Sequence, residues 1–141
     1  MKVAVMGAGA VGCFYGGMLA RAGHTVTLVG RPHHVSAIEQ RGLRFESALF
    51  DDYVPVSAGT HAEGMANSEL VLFCVKSSDT EEAAVAMRPY LESSPFVLTL
   101  QNGVDNAERL RSVIPQQVSS AAVYVACEMA GAGHVRHPRP R

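Results

Sequence analysis

Gly7, Gly9 and Gly12 stand in the order Gly-x-Gly-x-x-Gly directly behind the apolar run Lys2-Val3-Ala4-Val5-Met6. That spacing suits one kind of chemistry, the holding of a pyrophosphate against bare backbone. Gly7 permits a tight turn, Gly9 has no Cβ to keep a phosphate off the chain, and Gly12 lets the next helix pack closely on the strand. The phosphates would meet the free N–H groups and the positive dipole end of that helix. The candidate cofactor-binding segment is therefore Gly7, Ala8, Gly9, Ala10, Val11 and Gly12. Glycine is common in any turn, so the motif gains force only from its context of strand before and amphipathic helix after.

Arg31 is the next candidate, at the end of the β-branched run Thr25-Val26-Thr27-Leu28-Val29. An acidic residue there would accept from ribose hydroxyls, whereas arginine attracts a 2′-phosphate, which favours NADP over NAD. The plain alternative is an exposed arginine at a helix start. Lys76 follows the apolar run Leu70–Val75, and Asn102 follows Phe96–Leu100. Singly, one reads as a solubilising lysine and the other as half of an Asn-Gly turn. Their shared placement at strand ends gives them a claim on the same crevice, because ligands of open α/β sheets bind outside the carboxyl ends of the strands.

The elements needed to position these residues are legible in outline. Val11, Phe14, Met18, Leu19 and Ala22 recur at helical spacing, and Gly23 stands where a helix would stop. Gly16 and Gly17 inside that helix are tolerable only where close packing or a ligand requires them. Pro32 starts a short helix that Gly42 closes. Two short strands are expected around Leu43–Phe45 and Tyr53–Val56, with Pro55 marking an edge. Residues 57–67 read as a connecting loop with room for one helical turn and no function. Ser78-x-x-Glu81 and Asp105-x-x-Glu108 are capping-box patterns for two later helices. Ala84, Met87 and Leu91 line the first of these, and Leu110, Val113 and Ile114 the second. Val118–Val125 is a last apolar run. The expected fold class is α/β, a doubly wound parallel sheet of Rossmann-like, dinucleotide-binding type.

The chain has 141 residues, 48% hydrophobic and 18% charged, with a formal net charge of −1. Disorder is disfavoured, and no global field points to nucleic acid. No apolar run approaches the roughly 20 residues of a membrane span, and Met1-Lys2-Val3 leads into a strand, not a signal peptide, so a cytoplasmic location is expected. Cys13, Cys74 and Cys127 are odd in number and widely spaced, which suits buried reduced thiols. His134 and His137 make neither a metal site nor a nucleic-acid site by themselves.

The stretches Met1–Gly12, Val29-Gly30-Arg31, Cys74-Val75-Lys76-Ser77 and Gln101-Asn102-Gly103-Val104 together resemble the N-terminal half of the ketopantoate reductase (2-dehydropantoate 2-reductase) family. The resemblance implies NADPH-dependent reduction of a 2-keto acid to a 2-hydroxy acid, on the route to pantothenate and coenzyme A. It implies that the glycines hold the pyrophosphate, Arg31 the 2′-phosphate and Lys76 the adenosine side. Asn102 would lie beside the nicotinamide ribose and the substrate. The family continues into a helical domain that carries the catalytic lysine and a substrate-binding acid, so no catalytic residue is assigned here. Residues 1–130 are then the NADP-binding domain, and 131–141 a cut-off family continuation with an irregular tail. The chain alone is expected to be inactive, paired either with the missing domain or with a second copy. The alternative is a catalytically silent NADP(H)-binding module or a truncated remnant.

Overall fold

The computed structural model describes residues 1–138. The chain opens with β1 (Lys2–Met6), α1 (Ala10–Arg21), β2 (Thr25–Val29) and α2 (Pro32–Arg41), as the sequence predicts. Gly23 at φ 98° and Gly42 at φ 86° follow the two helix ends in the left-handed region, where glycine pays no Cβ penalty. A hairpin of β3 (Leu43–Glu46) and β4 (Asp51–Val54) follows, with Pro55 just past its end. Then come β5 (Ser57–Gly59), a 3-10 turn at Ala62–Met65 and β6 (Leu70–Phe73). A second 3-10 turn, Ser77–Asp79, leads into α3 (Thr80–Met87), which tightens to 3-10 at Arg88–Tyr90 around Pro89. The rest is β7 (Phe96–Thr99), α4 (Asn106–Arg111), β8 (Val118–Ser120), β9 (Glu128–Gly131) and β10 (His134–Arg136).

Six strands form one parallel sheet in the order β5-β2-β1-β6-β7-β8. The chain starts in the middle, runs outward to β5, then returns to the other side of β1. The direction reverses between β1 and β6, and such a switch point is where open α/β sheets leave a crevice. Alternate side chains serve opposite layers. Ala4, Val71, Phe73 and Val97 face Met87, Leu91 and Leu110, while Val3, Val5, Leu28 and Leu72 share a core with Cys13, Phe45 and Val135.

The structure departs from the sequence reading in five places. Residues 57–67 are not merely a loop: β5 is an edge strand of the main sheet, and Met65 in the expected helical turn is fully buried. Three residues with the sequence Ser-Ala-Gly carry no strand signal of their own and are recruited by pairing with β2. The buried side of α1 is Gly12, Cys13, Gly16 and Gly17, whereas Met18 and Ala22, expected inside, are exposed. A Cβ on Gly16 would come within 3.0 Å of Leu28, and one on Gly17 would lie 2.5 Å from Phe45 Cδ2, so the helix packs on its glycines because nothing larger fits. Neither capping box forms: Asp79 and Asp105 hold the cap positions and neither makes a side-chain cap bond. α4 ends at Arg111, before Val113 and Ile114, and the final apolar run keeps strand structure only as far as Ser120. The last difference is a second sheet, ordered β4-β3-β10-β9, in addition to the single parallel sheet expected.

That second sheet draws in residues 134–136. β10 runs parallel to β3 and antiparallel to β9, and Val135 has no exposed surface. His134 Nε2 lies in hydrogen-bond contact with Glu46 Oε1 at 2.8 Å, and the His137 ring packs edge-on against Phe14. Truncating Val135 to alanine should cost about 2 kcal/mol by lost burial and the cavity left behind. The midpoint of urea unfolding checks this; an unchanged midpoint would mean β10 is not part of the cooperative unit. Pro138 ends the described residues, so most of the tail that the sequence left unread lies outside them.

Candidate functional site

At the carboxyl edge of the main sheet, the strand exits run in the order β2, β1, β6, β7, and each exit carries one of the residues singled out by sequence: Arg31, the glycine turn, Lys76 and Asn102. Neighbouring strands lie about 4.8 Å apart, so from the β2 exit to the β7 exit is about 15 Å. Gly7 makes its turn at φ 107°, and its N–H donates to Val29 O at 2.9 Å. A Cβ there would sit 2.8 Å from the backbone of Cys74 across the switch point. Gly9 is extended (φ −84°) and precedes α1; around the position of a Cβ on it there is no protein atom within 4 Å. Gly12 is the opposite case, because its Cβ would be driven into the carbonyl oxygen of Gly7. The three glycines thus divide into turn, open face and helix contact, as their spacing implies. The first-turn amides of α1 belong to Ala10, Val11 and Gly12, which have no helical carbonyl to bond.

A cleft of about 440 Å³ opens here, lined among others by Gly7, Ala8, Gly9, Arg31 and Lys76. The arginine and lysine are both exposed, and among the described residues Asp79 is the one carboxylate on the wall, so the cleft favours anions. Glycine is required at position 30 as well, since Ala8 lies against it where a Cβ would be. Sequence reasoning missed Thr60, His33 and His34, which complete the wall. The histidines were within reach, two and three residues from Arg31 at the start of α2; Thr60 was not, because it depends on β5. Their rings stack at 4.0 Å between centroids, and Nδ1 of His34 accepts from the N–H of Gly133 at 3.1 Å. Burial, then the charges of His33 and Arg31, hold the His34 pKa below its ordinary value. Burial also pushes the thiols of Cys13 and Cys74 up to about 12, so both are protonated at neutral pH.

Asn102 lines a different cavity, also of about 440 Å³, with Thr99, Gln101, Val104 and Asn106. The four strand-exit residues therefore share one edge of the sheet but not one pocket: Lys76 faces the Arg31 side and Asn102 the far side. Ser77 joins the two, its Oγ donating to Asn102 O at 2.9 Å. Behind them, Arg109 on α4 grips both carboxylate oxygens of Glu81 on α3, at 2.6 and 2.7 Å. The Arg109 hydrogen bond holds the Glu81 carboxyl down at about 2, below its ordinary 4.5. A depressed carboxylate contributes stability that is complete above pH 4.5 and lost as pH falls through about 2,. Half of the Glu81 side chain is exposed, so salt weakens the contribution,. Unfolding midpoints of the parent and of Glu81→Gln should accordingly converge between pH 4.5 and 2; a gap that stays constant with pH would show the pair to be inert.

A family model for "Ketopantoate reductase PanE/ApbA" matches residues 3–141. A 2-dehydropantoate 2-reductase of Pyrococcus horikoshii is 38% identical over 110 residues, 78% of this chain and 36% of the relative. Among solved structures, a PanE/ApbA family ketopantoate reductase from Ralstonia eutropha superposes with a TM-score of 0.95 at 63% identity, covering 97% of this chain and 46% of that one. The 2-dehydropantoate 2-reductase of Porphyromonas gingivalis gives a TM-score of 0.90 at 30% identity, covering all of this chain and 52% of its own. The chain thus spans about a third to a half of the length of the relatives it matches. Among the described residues, no helix is long and apolar enough to cross a membrane.

Proposed function

The chain belongs to the ketopantoate reductase family of oxidoreductases, and from that premise we propose that it is the cofactor-holding part of an NADPH-dependent reductase of 2-dehydropantoate or a related 2-keto acid. Family membership implies a nicotinamide cofactor. The choice of NADPH rests on one observation: Arg31 opens into the same cleft as the glycine turn, with Lys76 as a second cation and Asp79 as the one carboxylate lining it among the described residues. Whether the cleft suits such a group is tested by Gly9, where the space a Cβ would take is open to the backbone.

When bound, the nicotinamide supplies hydride to the keto carbon of the substrate. The backbone of Gly7, Ala8 and Gly9, with the first-turn amides of Ala10, Val11 and Gly12, holds the pyrophosphate. Arg31 pairs with the 2′-phosphate through a charge-assisted contact, and Lys76 lines the cleft near the adenosine side. The amide of Asn102 orients the nicotinamide ribose and the substrate. These residues place the cofactor and take no part in proton transfer. We assign the proton donor to residues outside these 141, in a further domain that covers the cavity beside Asn102, where Val104 is fully exposed.

A catalytically silent binding module is the second reading, since the residues lining the cleft hold a nucleotide and none of them is assigned the proton transfer. Melting with and without NADPH or NADH, together with an assay on ketopantoate, tests both. A ligand bound to the folded state raises the melting midpoint, by an amount that grows with its concentration over Kd. Stabilisation by NADPH above NADH, without turnover, supports the cofactor-holding role. No shift with either nucleotide overturns it, and turnover by these residues alone overturns the external proton donor.

A further inference from the structure

A continuous polar link separates the Arg31 cleft from the Asn102 cavity, and it is better bonded than two loop ends require. The carbonyl of Asn102 accepts from Ser77 Oγ at 2.9 Å and from Asn106 Nδ2 at 2.7 Å. Arg109 donates from Nη2 to Ser77 O at 2.7 Å while it holds Glu81, and from Nη1 to Asn106 Oδ1 at 3.4 Å. Beneath this, Gln101 Nε2 donates to Val75 O at 3.0 Å and to Thr80 Oγ1 at 2.8 Å. Asn106, whose amide makes two of these contacts, is buried at 3% exposure. The main chain of Asn102 is thereby committed to the protein, whereas its exposed side chain makes no hydrogen bond among the described residues.

We propose that Arg109, Ser77 and Asn106 are positioning residues that fix the separation of Lys76 from Asn102, and so match the two cavities to the two ends of one dinucleotide. The inference rests on the reading that the chain holds an NADP-type nucleotide. The mechanical reason is local. After β7 the chain turns through Gly103 at φ 112° and the exposed Val104, so a loop without the link would have to be ordered by the ligand, at a cost in affinity. None of the three residues need touch the cofactor. They act through the carbonyl of Asn102 and the backbone of Ser77, which is joined directly to Lys76.

Calorimetric affinities for NADPH and for adenosine 2′,5′-bisphosphate, measured on the 141-residue chain and on its Arg109→Ala and Ser77→Ala variants, test this. The bisphosphate has the adenosine and the 2′-phosphate but no nicotinamide, so it reaches only the Arg31 end. Both variants should weaken NADPH about five- to tenfold and weaken the bisphosphate, which reaches Lys76 but not Asn102, by clearly less. Equal loss for both ligands, or no loss for NADPH, overturns the positioning role. A parent chain that binds neither ligand fails at the cofactor reading itself, a different result, and takes this inference with it. Ser77→Ala removes a single half-buried hydroxyl and should keep the parent melting midpoint, so the comparison survives if Arg109→Ala does not fold.

Discussion

A Gly12→Ala variant should lose about 3 kcal/mol of stability and melt roughly 10 °C lower, whereas Gly9→Ala should fold like the parent and lose its hold on the cofactor. The two substitutions add the same methyl group three residues apart. At Gly12 it meets the carbonyl oxygen of Gly7 and comes within 3.0 Å of Val5 Cγ1. The first obstacle is backbone, which cannot rotate away, so α1 must lift off the sheet and carry the glycine turn with it. Domains of this size are held by only about 5–15 kcal/mol, which makes the loss a large share of the total. At Gly9 the methyl group meets nothing within 4 Å, and φ −84° suits any residue. Alanine at a helix cap position is a poor substitute for glycine, but the change stays within about 1 kcal/mol. The methyl group would, however, occupy the space reserved for the pyrophosphate, and NADPH affinity should fall roughly tenfold or more. Thermal melts and titrations of the two variants decide. Unimpaired binding by Gly9→Ala would place the pyrophosphate elsewhere.

Arg31→Ala should weaken NADPH roughly ten- to a hundredfold and leave NADH almost untouched. A hydrogen-bonded ion pair to phosphate contributes about 1.5–3 kcal/mol, and every 1.4 kcal/mol is about tenfold in affinity. Arg31 is exposed, and its place at the start of α2 uses its backbone and not its side chain, so truncation to alanine should leave the fold alone. NADH lacks the 2′-phosphate and serves as the internal control. Raising the salt concentration should narrow the gap between parent and variant, because a contact at the surface is screened. Equal losses for the two nucleotides would assign Arg31 to the shared part of the molecule and withdraw the preference for NADPH.

Much of this was legible in the sequence because it is written in local chemistry. The apolar runs behind Gly7, Arg31, Lys76 and Asn102 are strands, and the rule that sheets bind ligands at their carboxyl ends places the four residues along one edge,. What stayed hidden depends on partners distant in sequence. Ser57–Gly59 has no strand pattern and becomes β5 only beside β2. The apolar periodicity of α1 pointed to Met18, but the side that meets the sheet is set by how closely Val5, Leu28 and Phe45 approach, and only glycine permits that approach. Ser78 and Glu81 have the spacing of a capping box, yet Glu81 is taken by Arg109, a residue 28 positions later. The division of the site into two cavities, one beside Arg31 and one beside Asn102, could not be read from the motifs.

Strand β10 pairs with β3 across 90 positions of sequence, from Arg136 back to Glu46. At the usual pace of translation, about 5–20 residues per second, the β3–β4 hairpin is complete about 4–16 s before the strand that completes its sheet. During that interval Phe45 and Leu43 have lost no water to Val135, and the open edge of β3 is free to pair with any extended chain nearby. The crevice at the carboxyl edge of the main sheet is framed sooner, since its last strand, β7, ends at Thr99, 37 residues before Arg136. A nascent chain thus frames that crevice about 2–7 s before its second sheet is closed, while the edge of β3 still waits for its partner.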